Sequence, residues 1–220
     1  MELKHILLGV GFALIWASAF PSAKMAVQFC PPFLFLFMRF LSAGLFSVML
    51  GAFLGQSLSF DRKSLLWITT FGLIQNGLYL GFIFLALTKI DANVSVIIAS
   101  ILPLTVAFFS WIFFKAKISF LGLFGLVVGL AGVLLIMLQR VEKEIELLGI
   151  TLCLLGLLAI TFSTLIITKI KINKNNILIV VGLQMLAGSL FLLPLSYFFE
   201  IWRVSFNVCL LYTSPSPRDS

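Results

Sequence analysis

Seven apolar runs separated by short polar connections organise the chain, at residues 6–27, 33–54, 65–87, 92–114, 118–138, 147–168 and 177–199. At 1.5 Å rise per residue each run covers about 30 Å, the thickness of a bilayer's hydrocarbon core, so each is predicted to be a membrane-spanning helix. The connections between them, about 4 to 10 residues long, leave no room for an extramembrane domain, so any function must sit inside the bundle. The run from Asn93 to Lys117 is the most informative. It is uncharged, starts with small hydroxyl residues, carries Pro103 near its middle and closes on lysines. Proline removes one backbone hydrogen bond that lipid cannot replace, so the freed carbonyl is expected to face protein or a water-filled cavity.

The first run has the outline of a signal peptide, with Lys4 and His5 ahead of it and Ala17-Ser18-Ala19 as a cleavage-like site. Its apolar character continues past that site and Pro21 would follow the cut, so a retained first helix is the expectation. Two short echoes recur along the chain. Leu7-Leu8-Gly9 opens the first span as Leu147-Leu148-Gly149 opens the sixth, and residues 39–46 align with residues 184–191 at an offset of 145. If one repeat holds five helices, an odd number, a second copy must enter from the opposite face of the membrane, which is the inverted-topology arrangement of many secondary transporters. On that reading residues 1–138 form a first five-helix repeat and 147–208 two helices of an incomplete second one. Residues 209–220, polar and proline-rich, are read as a disordered or non-native tail on a C-terminally truncated fragment.

Composition sharpens this picture. Hydrophobic residues make up 61% of the 220 positions and charged residues only 10%, and the mean hydropathy is +1.19. A soluble globular domain carries about 25% charged residues. The net charge of +7 is spread singly or in pairs between apolar runs, which excludes a continuous nucleic-acid-binding face and fits topology signals instead. Eight Lys and Arg (Lys4, Arg62, Lys63, Lys115, Lys117, Lys169, Lys171, Lys174) lie on the side of the N-terminus and five (Lys24, Lys89, Arg140, Lys143, Arg203) on the other. The N-terminus is therefore expected to be cytoplasmic in a multi-pass cell-membrane protein, with the bacterial inner membrane as the expected location. Three widely spaced cysteines and one histidine support neither a disulfide framework nor a metal site.

The order of several short motifs resembles the EamA module of the drug/metabolite transporter superfamily. These are Trp16-Ala-Ser18-Ala-Phe20 in the first span and Arg39-Phe40 in the second. The segment 79–104 adds Phe82-x-x-x-Ala86-Leu87, Ala92-Asn93-x-Ser95 and Ala99-Ser100-x-x-Pro103-Leu104, and a glycine-rich fifth span follows. The resemblance covers residue 7 to about 138 well and the sixth and seventh spans loosely. It implies an all-α polytopic membrane bundle, here seven of an expected ten transmembrane helices in inverted five-helix repeats, with a central cavity for small metabolites or drugs.

Candidate cavity residues are Trp16, Ser18, Gln75, Asn76, Tyr79, Ser100 and Pro103. Gln75, Asn76 and Tyr79 fall within little more than one turn, at i, i+3 and i+4 spacings that share a face. Their uncharged amides fit hydrogen bonding to a polar metabolite and equally fit interhelical bonds worth about 0.6 kcal/mol each. Serines in apolar helices commonly bond back to their own carbonyls, and Trp16 can equally be a packing aromatic. Arg39 is the one charge well inside a span and lies about 9 Å from its end, within reach of a snorkelling side chain or a structural partner. Gly122, Gly125, Gly129 and Gly132 share one face of the fifth span and predict a close helix contact.

No catalytic motif, cofactor-binding loop or intramembrane carboxylate pair is present in the sequence, so neither enzyme chemistry nor a cofactor is expected. The function expected is secondary transport, as an exporter or exchanger working by alternating access, with the lipid bilayer and a small-molecule substrate as partners and no nucleic acid. A non-transporting membrane scaffold is the alternative. Substrate identity and oligomeric state do not follow from the sequence.

Overall fold

The computed structural model describes residues 3–115, 146–170 and 175–200, together with single helical positions between 122 and 135. Every regular element among the described residues is helical. In chain order these are α1 (Leu3–Ala26), α2 (Pro32–Phe53), α3 (Arg62–Gly72), a π-helical turn (Leu73–Tyr79), α4 (Leu80–Lys89), α5 (Ala92–Ala99), α6 (Leu102–Phe114), α7 (Leu147–Ile166), a 3-10 turn (Ile167–Lys169) and α8 (Ile177–Phe199). Among the described residues, five stretches are long and apolar enough to cross a membrane: Pro32–Phe53, Arg62–Lys89, Ala92–Phe114, Leu147–Lys169 and Ile177–Phe199. The fifth predicted span and the tail at 209–220 lie largely or wholly outside the described residues.

Two of the predicted spans are interrupted. The third is continuous from Arg62 to Lys89 but loosens at Leu73–Tyr79, where the backbone widens to the i→i+5 pattern. The fourth divides into α5 and α6 around Ser100 and Ile101. Pro103 is the cause: its nitrogen cannot donate, and its ring would collide with the carbonyl four residues back. The helix therefore stops at Ala99 and restarts with the proline in its first turn, where the missing N–H would have had no partner. Pro21 and Pro194, by contrast, sit inside α1 and α8 without ending them.

The most extensive pairing is between α2 and α8, which run antiparallel. Their backbones approach closely where a Cβ on Gly44 would come 3.1 Å from the Gly182 carbonyl oxygen, and one on Gly182 2.9 Å from that of Gly44. Each helix is capped by the residue beyond the other's end. Neither Pro31 nor Asn176 caps its own helix through a side chain. Instead the Phe33 and Leu34 N–H groups donate to Glu200 Oε1 and Oε2 at 2.7 and 2.9 Å. At the opposite end the Leu178 and Ile179 N–H groups donate to Gln56 Oε1 at 2.9 and 3.4 Å. Helix N-termini carry unsatisfied donors and a partial positive charge, so an acceptor held there by a neighbouring helix ties the pair together.

The main core gathers Phe20, Leu36, Ile83, Phe84, Leu87, Ile98, Cys153 and Leu192, and so draws on α1, α2, α4, α5, α7 and α8. A smaller cluster of Ile68, Phe71, Ile170 and Val180 lies under the α3 end of the bundle. Large apolar side chains such as Ile15, Phe46, Phe53, Leu147 and Phe198 are exposed. For a soluble protein such a surface would be an aggregation hazard, whereas in a bilayer it is the lipid contact.

Candidate functional site

The π turn is the point from which the interior is built. Gly72, just before it, is so close to α8 that a Cβ there would overlap the Gln184 carbonyl oxygen, and one on Gly188 would come 3.0 Å from the Gly72 carbonyl oxygen. Asn76 Nδ2 donates to the Gln184 carbonyl at 3.1 Å. Gln75 Oε1 accepts from Ser163 Oγ on α7. The two amides thus link the loosened turn to α7 and α8, and glycine at the crossing lets the backbones come within their reach.

Three residues after Asn76, Tyr79 is buried and borders a small cavity of about 10 Å³ lined also by Trp16 of α1, Ile83 of α4, Ala99 of α5, Leu102 of α6 and Leu157 of α7. That volume is at the lower limit for a single water, so little free space remains between these side chains. The lining joins both backbone irregularities, the π turn through Tyr79 and the break between α5 and α6 through Ala99 and Leu102. Ala99 is the residue four before Pro103, whose carbonyl loses its helical donor. Hydroxyl and thiol contacts tie α7 to the broken span on the same side: Thr105 Oγ1 to Thr161 Oγ1 at 2.7 Å and Cys153 Sγ to Ser95 Oγ at 3.4 Å.

Of the predicted site residues, the structure brings Trp16 and Tyr79 together on this cavity, with Trp16 edge-on to Phe20 at 5.3 Å between ring centroids. Gln75 and Asn76 are engaged between helices. Ser18 is exposed and donates to the Ile15 carbonyl at 2.8 Å, and Ser100, also exposed, donates to the Ile97 carbonyl at 2.6 Å. Pro103 is exposed at the break. Arg39 is exposed, its guanidinium 5.8 Å from the Phe40 ring centroid. In the fifth span a Cβ on Gly125 or Gly132 would meet nothing within 4 Å, and one on Gly129 only Leu104 Cδ1 at 3.8 Å. Gly122 lies on the same helical run. The tight crossings fall at Gly44, Gly72, Gly182 and Gly188.

Several residues that position the interior went unremarked in the sequence. Ser163 and the Gln184 carbonyl are the partners of the two amides, and no spacing rule links positions so far apart. Lys24 Nζ donates to the Leu87 and Ile90 carbonyls at 2.7 and 2.9 Å, so a cation seats on the C-terminus of α4. Lys89 pairs with Glu146 at 3.1 Å on the same end of the bundle. The Cys30 thiol, outside the spans, is pushed above its ordinary pKa by burial and further by the Glu200 carboxylate. A second opening, a groove of about 480 Å³, runs from Gly77 and Phe82 to Phe199 and Glu200 and is otherwise apolar.

Apolar helices with large apolar side chains on the outside, and ends carrying the described Asp, Glu and Lys residues, define a polytopic integral membrane protein. The family follows from the sequence as well: the chain belongs to the EamA-like transporter family, whose model matches residues 3–138. It is similar to the uncharacterized transporter YvbV of Bacillus subtilis (strain 168), 25% identical over 206 residues that make up 91% of this chain and 67% of the relative. It is also similar to a chloroplastic WAT1-related protein of Arabidopsis thaliana, 27% identical over 129 residues, 59% of this chain and 31% of the relative. The chain thus spans about two thirds of the first relative and under a third of the second. No solved structure matches. The family is one of transporters and not of enzymes.

Proposed function

We propose that the protein of which this chain is part carries small metabolites or drugs across the membrane by alternating access, as an exporter or exchanger, from a cavity centred on Trp16 and Tyr79. The observation that carries this reading is the coincidence of that cavity with two backbone irregularities, the π turn and the Pro103 break. Helices bend most readily where the i→i−4 ladder is already interrupted, so a substrate-driven rearrangement would open the space these elements enclose. Tyr79 supplies a hydroxyl and an aromatic face and Trp16 an indole. With no charge at the cavity, the site suits neutral or zwitterionic compounds with an apolar portion. The cross-capping of α2 and α8 supports an inverted repeat. At the 145-residue offset of the sequence echo, Phe33 and Leu34 correspond to Leu178 and Ile179, the very donors capped at each end, and their acceptors Gln56 and Glu200 are 144 apart. On this reading 1–138 is one repeat, 147–208 begins the second, and the N-terminus is cytoplasmic.

The test is transport by the full-length protein in proteoliposomes, assayed in both directions with a panel of amino acids, nucleosides and cationic drugs. Tyr79→Phe and Trp16→Ala should raise KM for a transported compound while protein levels hold. A full-length protein that moves no compound in either direction supports the scaffold reading instead.

A further inference from the structure

The end of the bundle at which α3 begins carries a pocket that the transport reading does not use. It has a volume of about 330 Å³ and is lined by Asp61, Lys63, Ser64, Trp67 and Lys169. Asp61 is committed to the start of α3, accepting from Ser64 N at 3.2 Å and from Ser64 Oγ at 2.6 Å. The two lysines project from different elements, Lys63 from the first turn of α3 and Lys169 from the 3-10 turn after α7. Lys169 Nζ also lies 5.6 Å from the centroid of the Phe114 ring. Trp67 forms the wall, half-buried against the cluster of Ile68, Phe71, Ile170 and Val180. On the same helix Leu65 and Leu66 are exposed to the lipid side.

We infer that this pocket binds the headgroup of an anionic phospholipid. Three features fit that chemistry. Two ammonium groups line one space, and each can donate to one of the two non-bridging oxygens over which a phosphate diester spreads its single negative charge. An indole stands at the level where a span ends, the depth at which tryptophan partitions to the membrane interface. The charge balance of the two membrane faces is also unequal. Among the described residues, the connections on the pocket's side carry Arg62, Lys63, Lys115 and Lys169 against one acid, Asp61, whereas those on the other side carry Lys24 and Lys89 against Asp91, Glu146 and Glu200. Only the first face attracts an anionic surface, and on it the pocket offers a shaped site with apolar flanks for acyl chains.

Native mass spectrometry of the detergent-solubilised chain, titrated with phosphatidylglycerol or phosphatidylcholine, tests this. Phosphatidylglycerol should be retained in preference to phosphatidylcholine. With Lys63 and Lys169 each contributing about 1 kcal/mol near an anionic headgroup, Lys63→Gln/Lys169→Gln should cut that preference roughly thirtyfold. Lys63→Arg/Lys169→Arg should keep most of it, and Lys89→Gln, on the opposite face, should leave it unchanged, which separates loss of a site from loss of fold. Inorganic phosphate should not displace the bound lipid, because the apolar flanks contribute. Equal retention of the two lipids, an unaltered preference in the double Gln variant, or full displacement by inorganic phosphate would each overturn the assignment.

Discussion

Removing the carboxylate of Glu200 should loosen the α2–α8 pair, and the size of the effect can be worked from its contacts. Glu200 accepts backbone N–H bonds from Phe33 at 2.7 Å and Leu34 at 2.9 Å, and a third bond from Ser196 Oγ at 3.1 Å. A hydrogen bond to a charged group is worth about 1.5–3 kcal/mol net, and loss of an N-cap costs about 0.5–2 kcal/mol. Glu200 is half-buried, so water can reach the orphaned donors and the lower part of that range applies. Glu200→Ala is expected to destabilise by about 2 kcal/mol, and Glu200→Gln, which keeps an acceptor but not the charge, by about 1 kcal/mol. Gln56→Ala, at the far end, removes a neutral cap from Leu178 and Ile179 and should cost about 1 kcal/mol. The two caps lie at opposite ends of the 22-residue α2, roughly 33 Å apart, so their effects should add to within about 0.5 kcal/mol. Titration of purified protein in mixed micelles with sodium dodecyl sulfate, followed by circular dichroism, measures each. An Ala variant at position 200 that unfolds at the parent's detergent fraction would refute the argument that the remote caps hold this pair.

Other consequences can be measured in the same preparation. Asn76→Ala removes one interhelical bond and should cost about 0.6–1.7 kcal/mol, whereas Gly188→Ala forces a methyl into Asn76 and the α3 backbone and should cost more, about 1–3 kcal/mol; the reverse order in detergent unfolding would count against the crossing described. Because burial and then Glu200 raise the Cys30 pKa above its ordinary value of 9.0, site-resolved iodoacetamide labelling should lag behind that of a free thiol up to and beyond pH 9.0, until the pH passes the raised value. The sign for stability follows: a folded-state pKa above the unfolded one gives a contribution that is intact below the unfolded value and is lost as pH rises through the folded one, so Cys30 should add to alkaline unfolding and not to acid unfolding. In the full-length protein Pro103→Ala should restore helical continuity between α5 and α6 and reduce transport turnover more than membrane insertion; equal losses of protein level and transport would mean the break is only structural.

Much of the architecture was legible from residue pattern alone. Long apolar runs become helices in lipid because a helix satisfies its backbone polar groups within the segment, and breaks are tolerated only where protein or a cavity supplies the missing partner. The five qualifying spans among the described residues therefore sit where the hydropathy put them, give or take three residues at the ends. The Pro103 break was foreseeable for the same reason, since a missing N–H is a property of the residue. The two amides were singled out by type and spacing, with recognition and interhelical bonding both open.

What the tertiary structure decided depends on partners distant in sequence. The engagement of Asn76 with Gln184 is set by the close α3–α8 crossing at Gly72 and Gly188, and that of Gln75 with Ser163 by the packing of α7 on the π turn. Tyr79 of the π turn and Trp16 of α1 meet on one cavity although 63 positions separate them. The capping of α2 by Glu200 and of α8 by Gln56 joins residues more than 120 positions apart. Sequence sets which groups need a partner, because that need is local and chemical. Which partner each one finds is geometric, and it is fixed only when the helices have packed.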